Sequence, residues 1–342
     1  MIQAAITKLL DGKPLARTEA RAVMDEIMLG EATPAQIGGF LVALRAKGET
    51  PDEIAGCAEA MRAHVLAVTP KRGDLVDTAG TGGDGAHTIN ISTAAALVAA
   101  AAGAAVAKHG NRAVSSACGS ADVLEALGFS LDQEPERISQ SIDELGFGFL
   151  FAPLHHPAMR HAAPVRTELA TRTVFNILGP LTNPAGARAQ VVGVYSPALV
   201  RTIAEVLARL GARRAFVVHG AGGIDELSPV GPNLVAEVVD GTVHEHELDP
   251  ESELGLPRCR VEELRGGTPD ENAQAIREVL NGAGGGRRSS VLLNAAGAIA
   301  AAGHAADLRE GLELARAAVD SGAAADRLEL LAAFSRETVV AR

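Results

Sequence analysis

Four glycines lie between Gly80 and Gly85, directly after a predicted buried strand, and this segment is called the glycine loop. Glycine lets backbone N–H groups approach phosphate oxygens closely, and a helix that begins near Ser92 would add its positive end. Ser92 and Thr93 supply hydroxyl groups at the same helix start. The pattern therefore predicts a phosphate-binding loop, with a glycine-rich tight turn before an ordinary helix cap as the alternative.

Gly80, Gly82 and Gly85 also satisfy the spacing of a dinucleotide-binding fingerprint. Two features oppose that interpretation. The residues from Ala86 to Thr88 separate the third glycine from the helix, and the next strand ends in a basic sequence where a ribose-binding acid is expected. No Gly-Lys-Ser/Thr follows the glycines either, so the loop is not a Walker A motif. What remains is an anion site formed by the backbone.

A basic run, Lys108 to Ser116, follows the next predicted strand. Because consecutive strands of a parallel sheet end at one edge, this run and the glycine loop are expected to face one crevice. Lys108 and Arg112 would neutralise phosphate there, with hydroxyl donors from Ser115, Ser116 and Ser120. A solvated basic loop with a serine helix cap is the alternative.

The elements that must position these residues follow two patterns. From Met1 to about Val68, apolar residues recur at three- and four-residue spacing, which predicts helices. After a break at Pro70–Gly73, short apolar strands alternate with helices, which predicts a mainly parallel sheet covered on both faces. We therefore expect an α/β protein with a small helical N-terminal domain, residues 1–73, and a larger α/β domain with a mainly parallel central sheet, residues 74–342.

Two finer expectations concern element ends and packing. Four helix starts are predicted where Pro follows Ser or Thr, namely at Thr33, Thr50, Ser196 and Thr268. Helical segments near residues 157–185 are expected to join the N-terminal domain in space.

Composition excludes several classes of protein. The 342 residues include 31 Lys and Arg against 42 Asp and Glu, a net charge of -11, which argues against a nucleic-acid partner. Cys57, Cys118 and Cys259 form no CxxC pair, which fits a reducing compartment and argues against structural zinc. The N-terminus lacks the pattern of a signal peptide, and the Ala-rich stretch from residue 93 to 106 is too short to span a membrane. We expect a cytoplasmic protein without a membrane partner.

Two histidine clusters could suggest a metal site, but neither has the ligand pattern that such a site needs. His155-His156 has no third ligand at suitable spacing, so His156 is expected beside an acceptor pocket or at a helix cap. The tract His244-Glu245-His246-Glu247 is not HExxH and follows Asp240-Gly241, a turn signal between two predicted strands. It is expected to be an exposed edge hairpin.

The segments GTGGDG, NIST, KHGNRAVSS, GSADVLEALG and NILGPLTNPA together resemble the anthranilate phosphoribosyltransferases, over nearly the whole chain. The glycine loop alone is shared with nucleoside phosphorylases of the same fold. The resemblance implies transfer of phosphoribose from phosphoribosyl pyrophosphate (PRPP) to anthranilate, with release of pyrophosphate, in tryptophan biosynthesis. It also implies a Mg²⁺ requirement and a homodimer.

The resemblance implies PRPP contacts in the glycine loop, at the following helix start and in the basic run. These residues are Gly80, Gly83, Asp84, Thr88, Asn90, Ile91, Ser92, Thr93, Lys108, His109, Gly110, Asn111, Arg112, Ala113, Val114, Ser115, Ser116 and Ser120. Cys118 stands where the family pattern usually has Ser, and a thiol is a weaker donor than a hydroxyl.

For anthranilate, the resemblance implies contacts with Gly80, Asn111 and Arg166. A guanidinium matches a carboxylate with two parallel hydrogen bonds, which suits Arg166 to this acceptor. From the residues alone, Arg166 could equally pair with Glu168 or cap a helix, and Arg160 and Arg172 compete for the same role.

For Mg²⁺, the resemblance implies Ser92, Asp225 and Glu226. Adjacent carboxylates in a loop are usually solvated surface, but a pyrophosphate leaving group favours Mg²⁺, which binds one or two carboxylates together with substrate phosphates. Asp84 is expected to orient the loop or the ribose.

The implied reaction passes through an oxocarbenium-like state, so charge on the departing pyrophosphate is the main barrier. Lys108, loop amides and Mg²⁺ would stabilise that charge. The aromatic amine is neutral and nucleophilic, so no catalytic base is nominated. Two alternatives stay open: a pyrimidine nucleoside phosphorylase, which usually has an additional domain, and a non-enzymatic nucleic-acid-binding relative of the fold.

Overall fold

The computed structural model describes residues 1–113 and 117–337. The N-terminal part of the chain consists of α1 (Ile2–Leu10), α2 (Arg17–Met28), α3 (Pro34–Lys47) and α4 (Pro51–Ala63). Their apolar faces meet in a common core in which Ile27 and Phe40 are fully buried. The predicted helical domain is present.

A single seven-stranded sheet organises the rest of the described chain. Its strands are β1 (Leu75–Gly80), β2 (Ala105–Gly110), β3 (Phe147–Phe151), β4 (Ala189–Gly193), β5 (Arg214–His219), β6 (Asn233–Val239) and β7 (Thr242–Leu248). The spatial order is β3-β2-β1-β4-β5-β6-β7, parallel from β3 to β5 and antiparallel beyond it. The predicted fold class is confirmed, and β7 is the expected edge strand, with His244 and His246 exposed.

Helices connect and cover these strands. They are α5 (Ile91–Ala101), α6 (Ser120–Ala126), α7 (Pro135–Leu145), α8 (Ala152–His155), α9 (Ala163–Leu169), α10 (Phe175–Leu178), α11 (Ala198–Arg209), α12 (Pro250–Leu254), α13 (Pro269–Leu280), α14 (Gly286–Ala302), α15 (Leu308–Asp320) and α16 (Ala323–Arg336). Short 3₁₀ helices span Pro157–His161, Gly179–Leu181 and Val261–Leu264. Within the described ranges, no helix is long and apolar enough to cross a membrane.

Three of the four predicted helix caps are confirmed. The hydroxyls of Thr33, Thr50 and Thr268 each accept a hydrogen bond from the third helical N–H. The Glu or Gln side chain at that third position in turn accepts a hydrogen bond from the N–H of the cap residue. The prediction at Ser196 is wrong, because α11 begins at Ala198 with Pro197 as its cap and no side-chain bond.

The two faces of the sheet are covered by different helices. Alanine-rich α5 and α14 pack on one face, where small side chains allow close approach. On the other face, α11 packs against β5, β6 and α4, so the N-terminal helices share a core with the sheet. In addition, α9 packs against α3. The domain boundary at residue 73 stays a prediction.

Strand β1 lies at the point where the strand order reverses, between β2 and β4. In open α/β sheets, such a switch point leaves a crevice at the carboxyl ends of the strands, where ligands bind. The glycine loop follows β1 and the basic run continues from β2, so both are placed at this crevice.

Candidate active site

The glycine loop is in direct contact with the predicted acidic pair. The backbone N–H of Gly82 donates to Asp225 Oδ2 at 2.6 Å, although the two residues lie 143 positions apart. A Cβ atom at Gly80 would lie 2.3 Å from the same oxygen. Gly82, Gly83 and Gly85 have φ near +75°, a conformation that side chains disfavour. Glycine is therefore required here by close approach and by backbone conformation.

Three carboxylates converge beside this loop. The backbone N–H of Asp225 donates to Asp84 Oδ2 at 3.2 Å, and Glu226 follows Asp225 in the chain. Burial, and then the charge of Asp84, raise the pKa of Asp225 well above its usual range. Burial and the charge of Asp225 do the same to the pKa of Glu226. Ionisation of these buried carboxylates is therefore unfavourable, and a bound cation would stabilise their charged forms.

Glu226 is held against the start of α5. The Ser92 backbone N–H donates to Glu226 Oε1 at 2.8 Å, and Lys108 Nζ donates to Ser92 Oγ at 3.3 Å. Lys108 also donates to the Thr78 carbonyl at 2.6 Å, and its side chain is buried. Burial lowers the pKa of Lys108 to about 8, against the opposing charges of Asp77 and Glu226. The ammonium group thus lies beneath the loop, beside Ser92.

The donor set fits a hard divalent cation. Ser92, Asp225 and Glu226 offer a hydroxyl and two carboxylates, which are oxygen ligands of the type that Mg²⁺ prefers. Among residues 1–113 and 117–337, no three His, Cys, Asp or Glu side chains form a cluster that could hold a metal alone. A Mg²⁺ ion that also needs substrate phosphates and waters matches such an incomplete site.

The end of β2 is fixed by the NILGPLTNPA segment. Asn183 Nδ2 donates to Asp77 Oδ2 at 2.8 Å and to the Ala107 carbonyl at 2.7 Å. The other Asp77 oxygen accepts from the His109 backbone N–H at 3.1 Å. Burial raises the pKa of Asp77 to about 6, and Lys108 opposes that shift. This buried network sets the register of the two strand ends that form the crevice.

His109 and His156 face each other inside the crevice wall. Their Nε2 atoms are 3.2 Å apart, and His109 Nδ1 lies 3.1 Å from the Gly179 carbonyl. Burial lowers the pKa of His109 to about 3 and that of His156 to about 4. His155 instead directs Nδ1 to the Leu66 carbonyl at 2.8 Å. His156 precedes the 3₁₀ helix at Pro157, yet its side chain makes no capping bond to that helix.

The basic run is only partly described. Val114, Ser115 and Ser116 lie outside the described residues. Asn111 and Ser120 hydrogen-bond to each other, with the Asn111 N–H donating to Ser120 Oγ at 3.2 Å. Arg112 is half exposed and forms ion pairs with Asp122 and Glu125. Ala113 also donates its N–H to Asp122 Oδ2 at 2.9 Å.

The start of α5 is held by contacts within the protein. Ile91 and Thr93 are buried, and their backbone N–H groups donate to the carbonyls of Ile89 and Asn90 at 2.7 Å and 3.1 Å. Asn90 Nδ2 donates to the Cys118 carbonyl at 3.1 Å and Asn90 Oδ1 accepts from Asn272 at 2.9 Å. Thr88 pairs with Arg265 across a short β-bridge. The segment between the glycine loop and α5 is therefore held in place by the C-terminal part of the chain.

Two of the three candidate arginines for a carboxylate differ in their surroundings. The Arg166 guanidinium on α9 lies 5.1 Å from the Phe175 ring centroid, and burial alone lowers its pKa. No ion pair joins Arg166 to Glu168 in the described part of the chain, so this guanidinium keeps its capacity for an anion. Arg172 instead donates to the Gly83 carbonyl and stacks on Tyr195.

Several residues of the site were not predicted from the sequence. Their contacts depend on the fold and not on local spacing, and they are Asp77, Thr78, Asn183 and Asn272. Asn183 alone had a signal, since it lies within the NILGPLTNPA segment that carried the family resemblance.

Comparison with known proteins gives a consistent result. The helical bundle domain of the glycosyl transferase family matches residues 3–65, and its a/b domain matches residues 72–325. The anthranilate phosphoribosyltransferase of Anaeromyxobacter sp. (strain Fw109-5) is 56% identical over 336 residues, covering 98% of this chain and 99% of the relative. The crystal structure of the Thermus thermophilus anthranilate phosphoribosyltransferase is 52% identical, with a TM-score of 0.92 and coverage of 97% and 99%.

A more distant relative has been solved with ligands bound. Anthranilate phosphoribosyltransferase from Saccharomyces cerevisiae, in complex with PRPP and Mg, is 29% identical with a TM-score of 0.88, covering 98% of this chain and 97% of that chain. The same yeast enzyme has been solved with 4-fluoroanthranilate. Identity above one half over almost the full length, together with the shared fold, places this chain in the anthranilate phosphoribosyltransferase family.

Proposed function

We propose that this chain transfers the phosphoribosyl group of PRPP to the amine of anthranilate and releases pyrophosphate, a step of tryptophan biosynthesis. The observation that carries this proposal is the contact between Gly82 and Asp225, because it joins a phosphate-type loop to a cation-type carboxylate pair in one crevice. A pyrophosphate that binds together with its metal ion needs the loop and the carboxylate pair at the same site.

We propose that PRPP lies along the glycine loop, the start of α5 and the basic run. Backbone N–H groups of the glycine loop act on the phosphates, together with the positive end of α5. Lys108 contributes as a buried charge beneath Ser92, acting at a distance on the leaving group. Arg112 contributes less to phosphate binding than an unpaired arginine would, because Asp122 and Glu125 already neutralise its charge.

Ser92, Asp225 and Glu226 would hold Mg²⁺. When bound, the ion neutralises charge that develops on the pyrophosphate oxygens. The chain's own contribution is to keep both carboxylates oriented through the N–H groups of Gly82 and Ser92. Asp84 orients the Asp225 backbone from the glycine loop.

For the acceptor, we propose that Arg166 binds the anthranilate carboxylate, with Gly80 and Asn111 beside it. The surroundings of Arg166 support this assignment, because its guanidinium is partly buried and burial alone, without a nearby carboxylate, shifts its pKa. The amine needs positioning and no base, since it is neutral at physiological pH. His109 and His156, whose pKa values are lowered by burial, stay neutral and so do not repel or protonate it.

We also propose a cytoplasmic homodimer. The exposed apolar side chains Leu10, Leu29 and Val42 on or beside the N-terminal helices support a partner surface there. Light scattering on the purified protein at micromolar concentration tests the dimer, and a monomer mass would reject it.

The activity is tested by following the loss of anthranilate fluorescence with PRPP and Mg²⁺. We expect consumption that needs all three components and releases one pyrophosphate per anthranilate. Phosphorolysis of thymidine in place of this reaction would identify a nucleoside phosphorylase and reject the proposal.

A further inference from the structure

We propose that Arg172 is a positioning residue for the glycine loop, held in place by the ring of Tyr195, and not a ligand of the acceptor. Its Nη2 donates to the Gly83 carbonyl, and its Cζ lies 3.8 Å from the centroid of the Tyr195 ring. A Cβ atom at Gly83 would lie 2.8 Å from Arg172 Nη2, so the loop backbone and the guanidinium are in close contact. The inference rests on the proposed function for the identity of the loop's ligand.

Tyr195 is a fixed platform for this contact. It follows β4, and its backbone N–H donates to Thr81 Oγ1 at 3.1 Å. The Thr81 N–H in turn donates to the Gly193 carbonyl at 2.9 Å. The first part of the glycine loop is therefore bonded to the end of β4, and Arg172 extends the same support to Gly83. A guanidinium stacked on an aromatic ring loses little freedom when it forms a further hydrogen bond.

The glycine loop needs such support. Gly82, Gly83 and Gly85 are exposed and have the positive φ angles that only glycine adopts readily. Glycine has the largest backbone freedom of any residue, so an exposed loop of this composition is ordered only by contacts to its surroundings. The bond to Arg172 is one such contact and comes from the segment between α9 and α10.

The direction of the bond matters for a phosphate. In a planar trans peptide, the carbonyl and the following N–H point in opposite directions. When Arg172 holds the Gly83 carbonyl, the Asp84 N–H must point away from Arg172. The loop then keeps one N–H in a fixed orientation before a ligand arrives, and this preorganisation lowers the entropic cost of binding.

The test combines steady-state kinetics with binding. Tyr195 is the only tyrosine and the chain has no tryptophan, so tyrosine emission reports on this residue alone. We expect Arg172→Ala to raise the KM for PRPP about tenfold and to leave the KM for anthranilate within about twofold. Arg172→Lys should recover part of the loss, and Tyr195→Phe, which keeps the ring, should match wild type. Arg201→Ala, on the exposed side of α11, is the matched control.

Titration with Mg²⁺-pyrophosphate, followed by Tyr195 emission, separates this inference from the proposed function. A tenfold weaker Kd in Arg172→Ala supports loop positioning even if wild type makes no product, a result that would reject only the proposed function. An unchanged Kd, or absence of binding to wild type, overturns the inference. A rise in the anthranilate KM larger than that for PRPP also overturns it. If Arg172→Ala does not fold, Arg172→Lys decides: a Kd weaker than that of wild type supports the inference, and an unchanged Kd overturns it.

Discussion

The Glu226 carboxylate accepts a hydrogen bond from the Ser92 backbone N–H at 2.8 Å, so the acidic pair and the start of α5 form one unit. The bond joins residues 134 positions apart and lies at the sheet edge where β1 ends. Removing the carboxylate charge therefore tests the cation site without removing the hydrogen-bond acceptor.

We expect the double variant Asp225→Asn, Glu226→Gln to turn over about 100-fold more slowly, a loss of ~3 kcal/mol of charge stabilisation. Its response to Mg²⁺ should weaken, because amide oxygens are poorer ligands than carboxylates. The measurement is a Mg²⁺ titration of the rate at saturating PRPP. A titration curve that coincides with that of wild type would remove both residues from the cation site.

Arg166→Ala should raise the KM for anthranilate about 30-fold, since a hydrogen bond to a charged group contributes ~2 kcal/mol. The KM for PRPP should change little, because Arg166 lies on α9 and not at the loops after β1 and β2. Steady-state kinetics with each substrate varied in turn measure the split. Equal changes in the two KM values would place Arg166 outside the acceptor site.

Asn183→Ala should lower the free energy of unfolding by ~3 kcal/mol, because Asp77 and the Ala107 carbonyl lose a buried partner. In a double-mutant cycle with Asp77→Asn, we expect a coupling of ~1 kcal/mol or more, as for residues in one network. Urea unfolding at neutral pH gives the four free energies. Additive losses would show that the two side chains do not act together.

Acid should destabilise the fold through the buried histidines. Burial lowers the pKa of His156 from 6.5 to about 4, so the unfolded state takes up a proton first as pH falls. Stability from this group is intact above pH 6.5 and is lost between pH 6.5 and 4.

Between pH 7.5 and 5.0 this loss amounts to ~2 kcal/mol for His156. His156→Gln should be less stable than wild type at pH 7.5, and the difference should shrink by that amount at pH 5.0. Urea unfolding at both pH values measures it, with His244→Gln on exposed β7 as the control. A gap that stays constant with pH would contradict the prediction.

Local sequence patterns were sufficient for the fold class. Thr33, Thr50 and Thr268 were predicted correctly as caps because a capping box involves residues only three positions apart. The prediction at Ser196 was wrong, because α11 begins at Ala198 and its cap is Pro197. The glycine loop was predicted for a similarly local reason, because glycine adopts positive φ more readily than any other residue.

The site's supporting contacts could not be predicted in this way. Asn183 reaches Asp77 across 106 residues, and Asn272 reaches Asn90 across 182 residues, so no spacing rule connects them. Arg172 was one of three candidate arginines. Only the fold shows that it contacts Gly83, and that Arg166 pairs with no carboxylate among residues 1–113 and 117–337. Such choices depend on which loops the sheet brings together.

The segment between β3 and β4 is a series of short helices, α8 to α10, inserted beside the sheet that holds the phosphate-type loops. Its residues reach the crevice without taking part in strand pairing. Directed evolution toward other aromatic amines can therefore target residues 157–169, a range that leaves out His156, which contacts His109, and Arg172, which contacts the glycine loop. A library built there would sample new acceptors while the sugar-phosphate half of the enzyme is left intact.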